Sequence, residues 1–392
     1  MDDDPWYIGG PWYPTRGNTI DEELTALVAA GGVSAADMST LQSNDRSRLG
    51  EMFVPALLGA LDAGRRAAES DGELEPAAQR LRALYRADAA GFAEVHARLS
   101  AWGEGRYDAA SGVETFYHQP DDQDRADAVA TMIFNAWLPR FIGGVFDDER
   151  IPGWRFSTSR TQVRALRDFL AGRGAENPGQ LASWYAPTGE SIFFDRLGTE
   201  AVETADEIML AALGEALAFL RGEPGGAGEG GFGSPDMTTW LWGLRHYVKF
   251  ESLLGGFLGA DSGFDAILAM FNITPRQVPL TEERLDRTDP RAGLAGFPRP
   301  GDNWGVDGAN PGLSGTRFSY GSGPVMRMVI ALKAGAVQGV NIIPGGQSAL
   351  TDSPHFADQT RLWLGNQTIP LRFSLDQVLA GAEGRAVFRR AR

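Results

Sequence analysis

An α+β fold, with a large mainly helical N-terminal region followed by a β-rich C-terminal region, is predicted by three features of the chain. Apolar residues recur at spacings of three and four from residue 20 to about residue 220, the signature of successive amphipathic helices. A stretch at residues 222–235 that holds seven glycines breaks this pattern and reads as a loop. Beyond it, short β-branched or apolar runs lie between turn residues, as strands do.

The first helical stripe is Ile20, Leu24, Leu27 and Val28, and the next is Met52, Phe53, Ala56, Leu57 and Leu61. Between them Ser34 and Asp37 stand in capping-box spacing before Met38. There a hydroxyl can accept from one free N–H of the first turn while the carboxylate accepts from another. Further helices fit around residues 81–85, 129–137, 163–170 and 202–220, and strands around 325–332 and 337–343. The shift in composition places the main boundary at residue 235, with 1–235 mainly helical and 236–392 mixed and β-rich. No repeat period and no sustained heptad seam is visible.

At 392 residues and 43% hydrophobic content, the chain has enough apolar material for one large core or two. Its net charge is -15, Lys249 and Lys333 are the only lysines, and no basic block offers a stripe for phosphates, so no nucleic-acid partner is expected. No run approaches the roughly 20 apolar residues of a bilayer span. The opening Met-Asp-Asp-Asp-Pro is the opposite of a basic leader, so neither a membrane partner nor an export signal is expected from these residues. The absence of cysteine excludes disulfides and thiolate chemistry, and His96, His118, His246 and His355 are too far apart for a local metal cluster. A G-x-G-x-x-G at Gly226, Gly228 and Gly231 follows a helical pattern instead of a strand, which suits a flexible loop better than a dinucleotide site. The serine-elbow, P-loop and zincin motifs do not occur.

Residues 341–363, Asn-Ile-Ile-Pro-Gly-Gly-Gln-Ser-Ala-Leu-Thr-Asp-Ser-Pro-His-Phe-Ala-Asp-Gln-Thr-Arg-Leu-Trp, read as a strand ending in a glycine turn. Gln347, Ser348, His355, Asp358 and Gln359 could satisfy buried backbone groups there, and spacing alone favours a structural hydrogen-bond network over a catalytic site. This stretch resembles the C-terminal signature of the penicillin acylase family. Further segments resemble the same family in the same order: residues 35–61, Thr239-Trp-Leu-Trp-Gly-Leu-Arg-His-Tyr-Val-Lys-Phe250, Pro300-Gly-Asp-Asn-Trp304 and Gly323-Pro-Val-Met-Arg-Met328. The resemblance is to the C-terminal portion of that family's β chain and runs from about residue 5 to residue 375.

The resemblance implies an N-terminal-nucleophile (Ntn) hydrolase of layered αββα architecture that cleaves linear N-acyl amides. In such enzymes a serine uses its own α-amine as base and forms an acyl-enzyme. The family's serine opens a Ser-Asn-x-Trp-like strand, which together with an oxyanion-hole asparagine would precede Met1. Gly-Ser or Gly-Thr steps before Thr199, Ser234, Thr316 and Ser322 are not followed by that strand pattern. An incomplete sandwich, inactive on its own, is therefore expected. Its partner would be a complementary N-terminal acylase half or α chain, and its substrate a small acyl amide. The alternative is a non-catalytic binding or assembly scaffold derived from the family. An exposed sheet edge and apolar surface follow from either, with Trp6, Trp12, Tyr13 and Phe318 as candidates.

Gly9-Gly-Pro-Trp-Tyr-Pro-Thr-Arg16 resembles the family segment whose arginine sits near the nucleophile, which implies that Arg16 supplies positive potential and hydrogen bonds there. Without the resemblance, Arg16 reads as a helix-start arginine in a salt bridge. Asp2 and Asp4 fall near where relatives place a calcium ligand, and hard carboxylate oxygens suit calcium, while a solvated acidic terminus is the plain reading. No other cofactor is implied. Relatives are usually exported to the periplasm. Acyl-group specificity is not legible, because the family's side-chain pocket is built mostly from residues that would come earlier.

Overall fold

Residues 15–149, 159–174, 181–225, 230–251, 267, 269–280, 289–332, 337–382, 384 and 386–389 are described by the structure, a computed structural model. Asp2, Asp4, Trp6, Trp12, Tyr13, Gly226 and Gly228 lie outside the described residues. Helices fill the first part of the chain: α1 Thr15–Ala30, α2 Ala35–Leu41, α3 Arg48–Glu69, α4 Pro76–Ala87, α5 Ala89–Glu104, α6 Asp122–Phe146, α7 Ser159–Ala171 and α8 Ala205–Arg221. Several start where polar side chains satisfy their free N–H groups. Ser34 and Asp37 form the expected capping box on α2, and Asp121 with Asp124 and Thr204 with Glu207 do the same for α6 and α8. Ser47 caps α3 by accepting from Gly50 N–H.

The centre of the helical layer is α6, in which every residue from Asp127 to Leu138 is buried. It packs on α8 and α5, while α3 packs on α4, α5 and α8. By length and composition α6 could cross a membrane, but 78% of its apolar window is enclosed by the other elements. No unbroken apolar run marks it in the sequence, because Asp127, Thr131 and Asn135 interrupt the pattern. Large rings dominate this core, each contributing roughly 1.5–3 kcal/mol by burial. Their indole N–H groups find backbone acceptors: Trp102 donates to Asp108 O at 2.7 Å, Trp137 to Met209 O at 3.1 Å and Trp242 to Gly301 O at 2.9 Å. The stripe of α1 is covered less fully, with Leu24 and Leu27 half-buried and Val28 69% exposed.

Small antiparallel sheets complete the described chain, the first between α7 and α8 and the others past α8, and the fold is α+β. Strand β1 Trp184–Tyr185 pairs with β2 Glu190–Ser191, and β3 Tyr247–Val248 pairs with β4 Phe297–Pro298. A three-stranded sheet follows in the order β5 Arg327–Ala331, β6 Gln338–Ile342 and β7 Ile369–Leu371, with Val329 opposite Val340. β5 and β6 fall on the two runs that the sequence marks as strands. β7 carries little sequence signal because it is short and contains Pro370, tolerated at a sheet edge. Along β5 the pleat buries Arg327 and Val329 and turns Met328 and Ile330 outward, 42% and 39% exposed. Short helices α9 Thr360–Leu364 and α10 Leu375–Ala380 flank β7.

The main core continues past the glycine-rich stretch, since Met237, Trp240, Trp242 and Phe318 belong to it. Phe318, expected on an uncovered surface, is 2% exposed and packs against Trp242 and Phe219. A second apolar cluster joins Val248, Ile273, Phe297, Ile342 and Trp363.

Candidate active site

Arg16 lies in the first described turn of α1, where two side-chain bonds tie the helix to the loop at residues 299–323. The Thr15 hydroxyl donates to Trp304 O at 3.2 Å, and Arg16 Nε donates to Gly305 O at 2.8 Å. The remaining guanidinium nitrogens of Arg16 make no hydrogen bond among the described residues, and Arg16 forms no ion pair with them. Its orientation is therefore fixed at Nε.

The loop is stiffened by its own asparagines. Asn303 donates to Gly312 O and accepts from Gly312 N–H, both at 3.0 Å. Asn310 accepts from Trp304 N–H at 2.6 Å and donates to Gly308 O at 3.0 Å and Ser322 O at 2.9 Å. Trp304 holds φ 63°, a left-handed conformation that costs a non-glycine residue roughly 1–2 kcal/mol, and the Asn310 bond helps to hold it there. At Gly308, also left-handed at φ 66°, an added Cβ would stand 2.8 Å from Arg16 Nη2, so the close approach of the guanidinium requires glycine.

Between α1, the start of α7 and this loop opens a cavity of about 700 Å³, whose lining includes Arg16, Arg160, Ser159, Asn303, Asn310 and Leu313. Two guanidinium groups and no carboxylate stand among its described lining residues, in a chain of net charge -15. Such a site attracts anions and developing negative charge.

Beneath the loop lies a buried ionic cluster that no sequence motif marks. Asp307, with no exposed side-chain surface, accepts from Arg299 Nη2 and from Arg327 Nη2, each at 2.7 Å. Both guanidinium groups lie over the Trp363 ring, 5.0 and 4.9 Å from its centre. Desolvation opposes the charge on Arg299, but Asp307 together with Tyr117 and Tyr320 more than offsets it, and the group stays protonated. Nearby, buried His246 stacks on Trp242 at 4.6 Å and its Nδ1 meets Phe318 O at 2.6 Å. A carbonyl can only accept, so Nδ1 carries the proton, and burial pushes the imidazole pKa down to about 4. The signal for these residues lies in charged groups set within glycine-rich and apolar segments, at Arg299, Asp302, Asp307 and Arg327, a setting in which burial requires pairing.

The C-terminal polar residues are placed elsewhere, and none lines the cavity. Gln359 is buried, and its side chain accepts from Ile343 N–H at 3.4 Å. Ser348 N–H donates to His355 O at 3.0 Å, and the Ser348 hydroxyl accepts from Leu350 N–H at 3.1 Å. His355 pairs with Asp358 at 2.9 Å with both side chains exposed, and Gln347 is exposed. Gly346 is needed in this turn because a Cβ there would meet His355 O at 2.0 Å. Among the described residues no group of three or more His, Asp or Glu could hold a metal ion, and the candidate calcium ligands Asp2 and Asp4 are outside them.

Compared with known families, residues 1–380 match the penicillin amidase family. The match covers nearly the whole chain, and the chain belongs to that family. Amide hydrolysis is its chemistry at the level of the family. No curated protein matches the chain.

Proposed function

From membership of the penicillin amidase family we propose that these residues form part of a penicillin-acylase-type amidase that hydrolyses linear N-acyl amides. They would supply scaffold, pocket wall and Arg16. The nucleophile is a serine outside these 392 residues, because no serine or threonine among them stands in the family's nucleophile pattern. The serine attacks the amide carbon with its own α-amine as base, the amine half departs, and water then releases the acyl group. A tetrahedral oxyanion forms at each step, and a guanidinium held at Nε with its other nitrogens open is suited to stabilise that charge.

The single observation that carries this reading is the position of Arg16, a residue drawn from a family-like segment, on the wall of the 700 Å³ cavity. The αββα Ntn sandwich belongs to the same proposal. So does the division at residue 235, with residues 236–392 completing the sandwich beside the complementary half. A structural calcium at Asp2 and Asp4 would be shared with that half, where its other ligands would lie.

Hydrolysis of a chromogenic phenylacetyl amide tests the proposal, measured with this chain alone and with the polypeptide encoded directly upstream. Turnover only in the mixture is expected. Turnover by the chain alone would contradict it, and no turnover in either would favour the non-catalytic scaffold.

A further inference from the structure

Helix α1 carries Arg16 to the cavity without a packed face to fix it. Thr15 and Thr19 are its buried residues, and Leu24 and Leu27 are only half-buried, so core packing does little to set where its first turn stands. Surface ion pairs of Glu22 with Arg46 and Arg48 and of Glu23 with Arg106 tether the helix further along, and pairs of this kind contribute little each. At Arg16 the holds are the bonds to Trp304 O and Gly305 O and the close fit of the guanidinium against Gly308. One side chain, that of Asn310, bears on all three. Its Oδ1 accepts from Trp304 N–H at 2.6 Å while Trp304 stays left-handed at φ 63°. Its Nδ2 donates to Gly308 O at 3.0 Å and to Ser322 O at 2.9 Å. The backbone of Asn310 is itself fixed by an antiparallel bridge to Ser322, with N–H···O bonds of 2.9 and 3.1 Å.

We infer that Asn310 is a positioning residue: it fixes the place of the Arg16 guanidinium through Trp304, Gly305 and Gly308 and touches no reacting atom. The inference rests on the role proposed for Arg16 in the amidase, and Asn310 stands outside the family-like segments. The physical reason is strain. Without the Oδ1 acceptor, Trp304 gains by relaxing to negative φ. That change rotates the peptide that follows, and the acceptors of the Thr15 hydroxyl and of Arg16 Nε turn away together. Misplacing a charge-stabilising group by about 1 Å can slow a reaction by about a hundredfold. The task calls for an amide, which offers Trp304 N–H an acceptor and Gly308 O and Ser322 O a donor at once. An ionised carboxylate has no donor, and an aliphatic side chain has neither.

Hydrogen exchange at the arginine Nε–H groups, followed by NMR of the full chain isotope-labelled in its arginines, tests the placement, and Arg16→Lys identifies the Arg16 signal by its loss. Asn310→Ala is expected to speed exchange at Arg16 about tenfold, the factor that one net hydrogen bond is worth. Isosteric Asn310→Asp keeps the acceptor for Trp304 N–H and should speed it less. Arg80 Nε–H, bonded to Glu207 at 2.6 Å between α4 and α8, is the internal reference and should not change. Exchange at Arg16 unchanged in Asn310→Ala, or raised equally at Arg80, would overturn the inference. In the mixture with the upstream polypeptide, Asn310→Ala should lower kcat for the phenylacetyl amide about tenfold with KM little changed. It should add no further loss in Arg16→Ala, because the two residues act as one unit. An equal further loss there would overturn the inference, since Asn310 would then act independently of Arg16. No turnover in any mixture would instead sink the amidase proposal and the catalytic meaning of the inference with it, while exchange still decides whether Asn310 holds Arg16.

Discussion

Ser47 donates a 2.5 Å hydrogen bond to the carboxylate of Asp302, a residue 255 positions further along the chain, and both side chains are buried. The same hydroxyl accepts from Gly50 N–H to cap α3, so one serine ties the start of a core helix to the loop that walls the cavity. Asn135 of α6 approaches the same carboxylate oxygen at 3.4 Å. The other oxygen, Oδ1, has no partner among the described residues. Desolvation pushes the Asp302 carboxyl up to about 7, against the smaller opposing effect of its hydrogen bonds.

A carboxyl whose folded pKa exceeds its unfolded value binds protons more strongly in the native state. Its stabilisation is fully present below the unfolded value near 4 and is lost as pH rises through 7. Asp45, also pushed up to about 7 by desolvation and by Asp108 and Asp307, adds a slope of the same sign. Asp302→Asn mimics the protonated form and is expected to flatten the fall in stability between pH 4 and 7. Urea unfolding of both proteins at several pH values measures this, and parallel curves would show that Asp302 does not titrate in that range.

His246 acts in the opposite direction. Its folded pKa, about 4, lies below the unfolded value of 6.5, so its contribution is fully present above 6.5 and is lost as pH falls through 4. In His246→Phe the acid-induced loss between those values should shrink. Baseline stability should drop by about 1–3 kcal/mol because Phe318 O is left without its donor. Thermal melts at pH 4.5 and 7.5 would separate the two effects.

Asp307→Asn should be among the most damaging single changes in the chain. It leaves two buried guanidinium groups without their shared anion, and breaking a buried pair from one side costs about 3–5 kcal/mol. Adding Arg327→Met should recover part of the loss by removing one of the two uncompensated charges. Additive losses in chemical unfolding would argue that the pair is energetically independent.

Gly308→Ala is expected to cost about 1–2 kcal/mol through its left-handed backbone, and its Cβ should displace the Arg16 guanidinium. In the mixture proposed to be active, this variant should lower kcat more than its stability loss accounts for. Arg16→Ala should lower kcat by about a hundredfold, the effect of losing one donor to an oxyanion. Normal kcat in Gly308→Ala would mean that the position of Arg16 is not critical.

Local chemistry explains what could be read in advance. The capping box of Ser34 and Asp37 and the strand pair around Val329 and Val340 depend on neighbours in sequence or on a period of two, and both are legible. Arg16 is legible only through its flanking motif, since its partner Gly305 is 289 positions away. The cluster of Arg299, Asp307, Arg327 and Trp363 depends on approach of separate segments, for which spacing along the chain carries no signal. Residues of the C-terminal signature look like a connected network in sequence, but the turn fixed by Gly346 sends His355 and Asp358 to the surface and only Gln359 inward.

The helix α9 looks dispensable in the linear chain, a five-residue segment close to the end, yet its carbonyls are capped from the interior. Arg299 donates to Leu364 O at 3.0 Å, and Arg327 reaches Trp363 O and the Asn366 side chain. Proteolytic trimming or a premature stop codon before Thr360 would strip two interior cations of these acceptors and of the indole they lie over, leaving them only Asp307. Damage would then spread to the loop carrying Gly305, and with it the anchor of Arg16. The α9 segment is accordingly a structural keystone, and forms cut before it should be cleared by cellular proteases well before those cut beyond α10.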